Sequence, residues 1–467
     1  MTTPDDPLRE RYQALLTRDP TNCSPHDGLR LVGDLIDFAT QLEQPDGLHH
    51  AINIAQNIEP RLATPIQNTE LYYFIGNAWS ELQRHRPAPE TNVWDWNQPE
   101  AENAIFAYRT AKNSEGFTTL RPERQARILT NLANLLDHLG RFVDAIELWD
   151  KALQQTPGFG MARGNRALGL RNYGAHLYDK GHKALFFKTA HHELTTALTQ
   201  EPEAHAVPGF TAARDELAAL LPPEYLARTT TLHEHPLGTS TEEQDYRKAM
   251  LAARLFLNPL NDLGPHTIAA QDILRTPPLV VRIGTGPTAQ SAMNQLKQEY
   301  VAARYLYDQG THEHAEPHYA DKNVKLTNTL DYPAYGIRRE FLRAAFRIAY
   351  SLLDKTAYLL NDYLQLGMRE DRVTFRNLWY DHGEQQRGLR PDFQRRKSLP
   401  LRALYWLAKD LAPNEDVTGT LDPDAQHLAL IRNHLEHKFL KLHKEGFHGP
   451  ARTIATGDLV TLPPTLA

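Results

Sequence analysis

Four polar side chains near the C-terminus fall within about one and a half turns of one predicted helix. The sequence there is IRNHLEHKFLKLH, and the four residues are Arg432, Asn433, Glu436 and His437. An arginine offers a planar fork of donors for phosphate oxygens. A histidine titrates near neutral pH and can move a proton to or from a ribose oxygen, and an asparagine one turn earlier can orient its imidazole. Because the 2′-hydroxyl of RNA can act as the nucleophile, these side chains indicate RNA cleavage without a metal or other cofactor.

The helix that carries them, predicted over 423–444, also has an apolar stripe that should face a helical core. The stripe consists of Leu428, Ile431, Leu435, Phe439 and Leu442. Asn433 and His437 lie almost opposite this stripe, together with Leu440, which has no core of its own to join there. The polar cluster is therefore predicted to face solvent or a second subunit, and we expect a homodimer through the C-terminal domain.

The spacing alone leaves a structural alternative open. Arg432 and Glu436 could form an i,i+4 ion pair on a solvated helix. The same order of arginine, asparagine, three residues and histidine recurs at Arg171, Asn172 and His176. That second copy has no basic neighbours and lies in a periodic helical region, so a structural role is predicted for it.

Composition narrows the class of protein. The chain has 467 residues and a formal net charge of -6, which argues against a protein that coats nucleic acid with a basic surface. Cys23 is its single cysteine, so no internal disulfide can form, as is typical of a reducing cytoplasm. The sequence shows no signal-peptide pattern and no long apolar run, so we expect a cytoplasmic protein without a membrane span.

The first half of the chain is periodic and helical. Residues 126–157 resemble a tetratricopeptide repeat, the 34-residue helix pair that stacks into arrays. Small residues occupy the positions where the two helices approach, and large ones lie between them: Ala133, Gly140, Ala145 and Ala152, with Leu132, Leu136, Phe142 and Trp149. Residues 71–111 and 161–202 follow the pattern less closely. We predict a repeat array at 1–227 and a linker at 228–240.

The second half is predicted to be a helical bundle at 241–448, followed by a C-terminal tail at 449–467. The long helices are expected at 287–309, 336–366, 400–411 and 423–444. Tyr405 and Trp406 should belong to the core of this bundle. The predicted fold class is therefore all-α throughout.

The second half also resembles the HEPN superfamily, in particular the group in which a tetratricopeptide-like array precedes a C-terminal HEPN domain. The resemblance covers roughly 240–445 and rests on RLFLNPLND (254–262), LDYPAYGIRREFLRAAFRIAYSLLDKTAYLLNDY (330–363), FRNLWY (375–380), LRALYWLAKDL (401–411) and IRNHLEHKFL (431–440). It implies a helical bundle in which two motif helices from two subunits form a composite site. Many members are metal-independent endoribonucleases of toxin, antiviral or stress systems, and others are catalytically silent binding modules.

The resemblance also assigns roles to the motif residues. It implies that Arg432 contacts the scissile phosphate and that His437 transfers protons, with Asn433 as the polar residue of the motif. Glu436 is predicted to support these residues. The expected product carries a 2′,3′-cyclic phosphate. The alternative reading is an inactive HEPN and repeat protein that binds or assembles other molecules.

Basic residues near the motif could hold an RNA backbone. The predicted RNA-binding residues are Lys438, Lys441, Arg395, Arg396 and Lys397. Others in the same regions include Arg387, Arg390 and Arg402, and a solvated surface remains the alternative for many of them.

Three further features leave a question open. Asp354 and Lys355 interrupt a long apolar helix, as a buried pair or as support for the site. The loop from His312 to His318 is rich in histidine and acid, but it is predicted to be solvated rather than a metal site. The insert at 87–100, with Trp94 and Trp96, could project toward a partner.

We expect a peptide, protein or ligand on the array to act as a trigger for the nuclease.

Overall fold

The chain forms two compact units in the computed structural model. The structure describes residues 6–20, 23–85, 94–228, 232–278, 280, 286–312, 318–327, 334–411, 422, 425, 428, 431–435, 439–442 and 459–462. One unit comprises Met1–Thr230 with Arg396–Pro423, and the other Thr231–Arg395 with Asp424–Ala467. The first boundary falls within the predicted linker, whereas the sequence did not predict that Arg396–Pro423 would return to the N-terminal unit.

Consecutive helices pair with one another in the N-terminal unit. The helices are α1 (Asp6–Leu16), α2 (Pro25–Gln41), α3 (Pro45–Ile58), α4 (Pro65–Arg84), α5 (Pro99–Asn113), α6 (Pro122–His138), α7 (Phe142–Gln155), α8 (Gly160–His176), α9 (Lys180–Thr199), α10 (Val207–Leu220) and α11 (Pro223–Ala227). Short 3₁₀ helices lie at Glu59–Arg61 and Phe117–Thr119. Several helices begin with proline, whose fixed φ suits a first helical position. The strongest pairings are α2 with α3, α4 with α5, α6 with α7, and α8 with α9, which is consistent with a helical repeat array.

Small residues allow these pairs to approach closely. In α6 and α7, Ala133, Ala145 and Ala152 are fully buried, as the repeat pattern predicts. In α4, a Cβ atom added to Gly76 would lie 2.6 Å from the ring of Tyr108 in α5. Only glycine fits at that crossing without a shift of the tyrosine.

The second unit is also mainly helical. It contains α12 (Thr241–Ala252), α13 (Thr288–Thr311), α14 (Ile337–Tyr363) and the short α15 (Pro391–Gln394). Its 3₁₀ helices lie at Pro259–Leu263, Thr267–Ala269, Tyr319–Asp321, Glu370–Arg372, Asp381–Gly383 and Gln385–Arg387. Helix α12 is capped at its start, because the Ser240 hydroxyl accepts a hydrogen bond from the Glu243 N–H. The long helices α13 and α14 pack along each other.

One more helix, α16 (Leu399–Leu411), belongs to the N-terminal unit. Its end agrees with the predicted helix at 400–411, and its start lies one residue earlier. Tyr405 and Trp406 are buried, as expected of core residues. The core that they join, however, is that of the unit containing the array.

The C-terminal part of the predicted motif helix is a strand. Residues 431–435 are helical, but Phe439–Leu442 form β1, which pairs in parallel with β2 (Leu459–Leu462). Leu440 lies opposite Val460, and Lys441 opposite Thr461. The helix predicted over 423–444 is therefore wrong at this end, because pairing with a distant segment overrides local helix propensity. Helices otherwise dominate both units, which confirms the all-α class. None of the described helices is long and apolar enough to cross a membrane.

Candidate functional site

The helical turn at 431–435 contacts α14 at two points. The guanidinium carbon of Arg432 lies 5.8 Å from the centre of the Tyr350 ring. One turn before Tyr350, Arg347 donates a hydrogen bond to the carbonyl of Leu435. Arg432 also donates from Nη1 to the side-chain oxygen of its neighbour Asn433, at 3.2 Å. Both ends of the turn are thus held by side chains of one helix.

Burial along the turn agrees only in part with the predicted apolar stripe. Leu435 is buried and Asn433 is exposed, as expected. Leu428, however, is 39% exposed, and His434, which was not predicted to be a core residue, is only 4% exposed. The helix does not continue to 444, so the residues of the predicted stripe beyond the turn do not share one helix face with those in it.

The structure does not describe every residue of the predicted site. Glu436, His437 and Lys438 lie outside the described residues, so their roles remain predictions. Lys441 lies in β1 and not on the motif helix. Of the four residues of the predicted motif cluster, Arg432 and Asn433 are the two that the structure describes.

Tyr350 is the residue of this site that the sequence did not indicate. Burial raises the pKa of its hydroxyl, and Asp354 acts in the same direction, whereas Arg432 and Arg376 oppose the shift. Tyr350 therefore stays neutral at physiological pH and offers its ring to the arginine. The only available signal was its spacing of three residues from Arg347, which places both on one helix face.

The basic residues that the sequence analysis predicted to surround the motif fall into two groups. Arg395, Arg396 and Lys397 are exposed, on the segment that precedes α16, so their predicted role in RNA binding is sterically open. Arg402, in contrast, is only 1% exposed. It donates hydrogen bonds to the carbonyls of Asp95 and His138, and burial lowers its pKa to about 10.

The structure answers the question about Asp354 and Lys355. They do not form a buried pair with each other. Asp354 accepts a hydrogen bond from the Phe375 N–H at 2.8 Å, and Lys355 pairs with Glu299 of α13 at 2.5 Å. Both side chains therefore hold α14 against its neighbours.

The histidine-rich loop is described only at its ends. His312 lies 3.3 Å from the carboxylate of Asp308, and Nδ1 of His318 accepts a hydrogen bond from the Ala320 N–H. In the part of the chain that the structure describes, no cluster of three histidine, cysteine or acidic residues could hold a metal ion.

The second copy of the motif lies within α8, and its side chains have partners in the array. Arg171 pairs with Glu216, and Asn172 donates to Asp137. His176 packs against the ring of Phe142, with 5.3 Å between the ring centres. These contacts support the structural role predicted for this copy.

Helix α16 is held in the N-terminal unit by buried ion pairs. Both nitrogens of the Arg109 fork donate to the two oxygens of Asp410, at 2.6 and 2.9 Å. Arg141 donates to the same carboxylate, and the adjacent Lys409 pairs with Glu102. Asp410 is thus shared by two arginines, from α5 and from the start of α7.

One tryptophan of the insert at 87–100, Trp96, also packs against this part of the N-terminal unit. Trp96 is 2% exposed, and its indole N–H donates to the carbonyl of Arg396 at 3.2 Å. The expectation that the insert projects toward a partner is therefore wrong for Trp96, whose side chain is buried next to Tyr405. Residues 87–93 of the insert lie outside the described residues. Trp94, at the edge of the described region, is partly exposed.

Comparison with known proteins identifies the domain that contains the motif. Residues 280–459 match the family model described as LA2681-like HEPN. The match confirms the resemblance seen in the sequence, and its range includes α14, α16 and the turn at 431–435. No curated protein and no solved structure matches the chain.

Proposed function

We propose, from the LA2681-like HEPN domain at residues 280–459, that this protein is a metal-independent endoribonuclease. HEPN domains are commonly ribonucleases. The observation that carries the proposal is an intact Arg432-Asn433-(three residues)-His437 motif inside the matched range. Among the described residues, the contacts of the Arg432 guanidinium are with the Tyr350 ring and the side-chain oxygen of Asn433. Its planar fork of donors suits phosphate oxygens.

In the proposed reaction the 2′-hydroxyl of RNA attacks the adjacent phosphorus, and the 5′-oxygen of the next nucleotide leaves. Arg432 stabilises the charge that develops on the non-bridging phosphate oxygens. His437 transfers a proton to or from a ribose oxygen. The products are a 2′,3′-cyclic phosphate, or the 3′-phosphate formed by its hydrolysis, and a 5′-hydroxyl.

The proposed site is composite and forms across a homodimer. Asn433 is exposed on the turn that carries the motif, so a second subunit can approach it. One subunit supplies one arginine and one histidine of the motif, and a two-fold axis would double both. We further propose a toxin or antiviral role, because an unrestrained ribonuclease would damage its own cell.

The proposal also includes regulation of the nuclease by the array. Helix α16 lies inside the HEPN match and yet packs within the unit that contains the array. A ligand or protein on the array that shifts α5 or α7 would therefore act on a helix of the HEPN sequence. Stacked helix pairs form extended surfaces suited to such recognition.

The test of the activity uses the full-length protein, a mixed RNA substrate and a chelator. We expect cleavage to persist in the chelator and to leave 2′,3′-cyclic phosphate ends. Arg432→Ala and His437→Ala should each abolish it, whereas His176→Ala, in the second copy of the motif, should not. RNA binding without cleavage by the wild-type protein would favour the binding-module alternative. Cleavage that requires added zinc or magnesium would disprove the mechanism.

A further inference from the structure

Tyr350 supports the arginine of the motif from a different helix. We infer that Tyr350 is a positioning residue, which holds the guanidinium of Arg432 in the orientation needed to bind a phosphate. The inference rests on the proposed function, and it assigns a role to a residue outside the motif. Its basis is the contact between the guanidinium and the ring, 5.8 Å from carbon to centroid.

The contact belongs to a two-point attachment. Arg347 and Tyr350 are three residues apart on α14 and lie on one face of that helix. Arg347 binds the carbonyl of Leu435 at the end of the turn, and Tyr350 contacts the arginine near its start. A long arginine side chain has many rotamers in solution. A fixed helix that contacts both ends of the turn limits those rotamers.

An aromatic ring suits this task better than a carboxylate. The ring attracts the cation through its π face. It does not occupy the N–H groups of the guanidinium in conventional hydrogen bonds. Of the five donors of the guanidinium, Nη1 contributes one to Asn433. A carboxylate partner would neutralise the arginine and compete with the phosphate for the fork.

The charges around Tyr350 are arranged in keeping with this role. Asp354, one turn further along α14, accepts a hydrogen bond from the backbone of Phe375. The carboxylate that is electrostatically coupled to Tyr350 is thus engaged by backbone. Arg376, next to Phe375, is exposed and adds positive charge near the ring. Among the described groups that are electrostatically coupled to Tyr350, two are positive and one is negative.

The experiment compares Tyr350→Phe, which keeps the ring, with Tyr350→Leu, which removes it, in the full-length protein. Tyr363→Leu, at an exposed tyrosine of the same helix, is the matched control. We expect Tyr350→Phe and Tyr363→Leu to cleave RNA like the wild type. Tyr350→Leu should lower kcat/KM by about three- to ten-fold with an unchanged Tm. Should Tyr350→Leu fail to fold, Tyr350→Met serves the same comparison.

A second readout separates positioning from packing or direct RNA contact. Binding of a non-cleavable 2′-deoxy analogue of the RNA is measured in the wild-type and Arg432→Ala backgrounds. Tyr350→Leu should weaken binding in the first background and leave it unchanged in the second. Equal weakening in both backgrounds, or equal activity of the leucine and phenylalanine variants, would overturn the inference alone. A wild-type protein without cleavage activity would overturn the proposed function and this inference with it.

Discussion

Asp137 is a buried carboxylate with few partners. One oxygen accepts a hydrogen bond from Asn172 at 2.8 Å, and the other, Oδ1, has no donor among the described residues. Burial raises the pKa of this carboxyl from 3.8 to about 6. The folded protein therefore holds a proton there between about pH 4 and pH 6, a range in which the unfolded chain has lost it.

The first prediction concerns the pH dependence that follows. Because the folded-state pKa is raised, the free energy of unfolding should fall as pH rises from about 4 to about 6 and stay lower at neutral pH. Asp137→Asn should remove that loss, about 2–3 kcal/mol, and raise the Tm of the N-terminal unit at pH 7.5 but not at pH 4. Asp215→Asn, at an exposed position of α10, is the control. Equal Tm values for wild type and Asp137→Asn at both pH values would contradict the prediction.

Individual arginines also show what the sequence could not reveal. Arg395 and Arg402 belong to one basic run and look equivalent in the sequence, yet the first is exposed and the second is 1% exposed. The difference arises because the backbone carbonyls of Asp95 and His138 accept hydrogen bonds from the Arg402 guanidinium. These residues lie far away in the sequence, so no local pattern signals them. Arg432 and Asn433, by contrast, were predicted as site residues from residue type, spacing and the family resemblance, and their role stays a prediction.

At the scale of elements, α16 depends on a close approach to the turn between α6 and α7. Gly140 in that turn has a φ of +90°, which side chains rarely adopt. A Cβ atom there would lie 2.4 Å from the carbonyl oxygen of Leu399. The turn and the start of α16 therefore fit together only with glycine.

The second prediction is that Gly140→Ala destabilises the protein through both effects. Strain at a positive φ adds about 1 kcal/mol or more, and the steric overlap adds to it. We expect a lower Tm and earlier proteolysis at 396–411. Gly158→Ala is the matched control, because nothing lies within 4 Å of its added Cβ. An unchanged Tm for Gly140→Ala would show that the turn can move away from α16.

The third prediction concerns the carboxylate shared by two arginines. Asp410→Asn leaves Arg109 and Arg141 buried with less negative charge, so we expect a loss of about 3–5 kcal/mol in the free energy of unfolding. Glu147→Gln removes an exposed pair with Lys151 and should change it by less than about 1 kcal/mol. Chemical denaturation measures both. A similar small effect in the two variants would mean that water reaches Asp410.

Element bounds were the best predicted feature of the chain. The predicted helices at 287–309, 336–366 and 400–411 appear as α13, α14 and α16, because their apolar spacing is regular and local. The strand at Phe439–Leu442 was missed, since it depends on pairing with Leu459–Leu462. The packing of α16 in the N-terminal unit was missed for the same reason, as its partners are distant in the sequence.

At the scale of the molecule, the fourth prediction is a homodimer whose site needs both subunits. An inactive double variant that carries both Arg432→Ala and His437→Ala is mixed with the wild-type protein, and the subunits are allowed to exchange between dimers. If both subunits contribute, RNA cleavage should fall with the square of the wild-type fraction. Light scattering on the full-length protein gives the oligomeric state. A linear fall in activity, or a monomer at micromolar concentration, would contradict the composite site.

Regulation should also be tested in the full-length chain. A fragment that begins near residue 240 would keep α16 but lose Arg109, Arg141 and Glu102, its buried partners. Such a fragment would expose Lys409 and Asp410 that are normally paired. Variants of the array in the intact protein avoid this artefact.

The large sequence separation between α16 and its partners affects how the chain folds during synthesis. Arg109 and Asp410 are 301 residues apart, and a ribosome adds about 5–20 residues per second, so roughly 15–60 s separate their appearance. The N-terminal unit can complete its core only after this delay. Asp410 emerges before Arg432 and His437, because it precedes them in the chain. On the ribosome, α16 therefore emerges before the motif does and is the first of the two to meet the array.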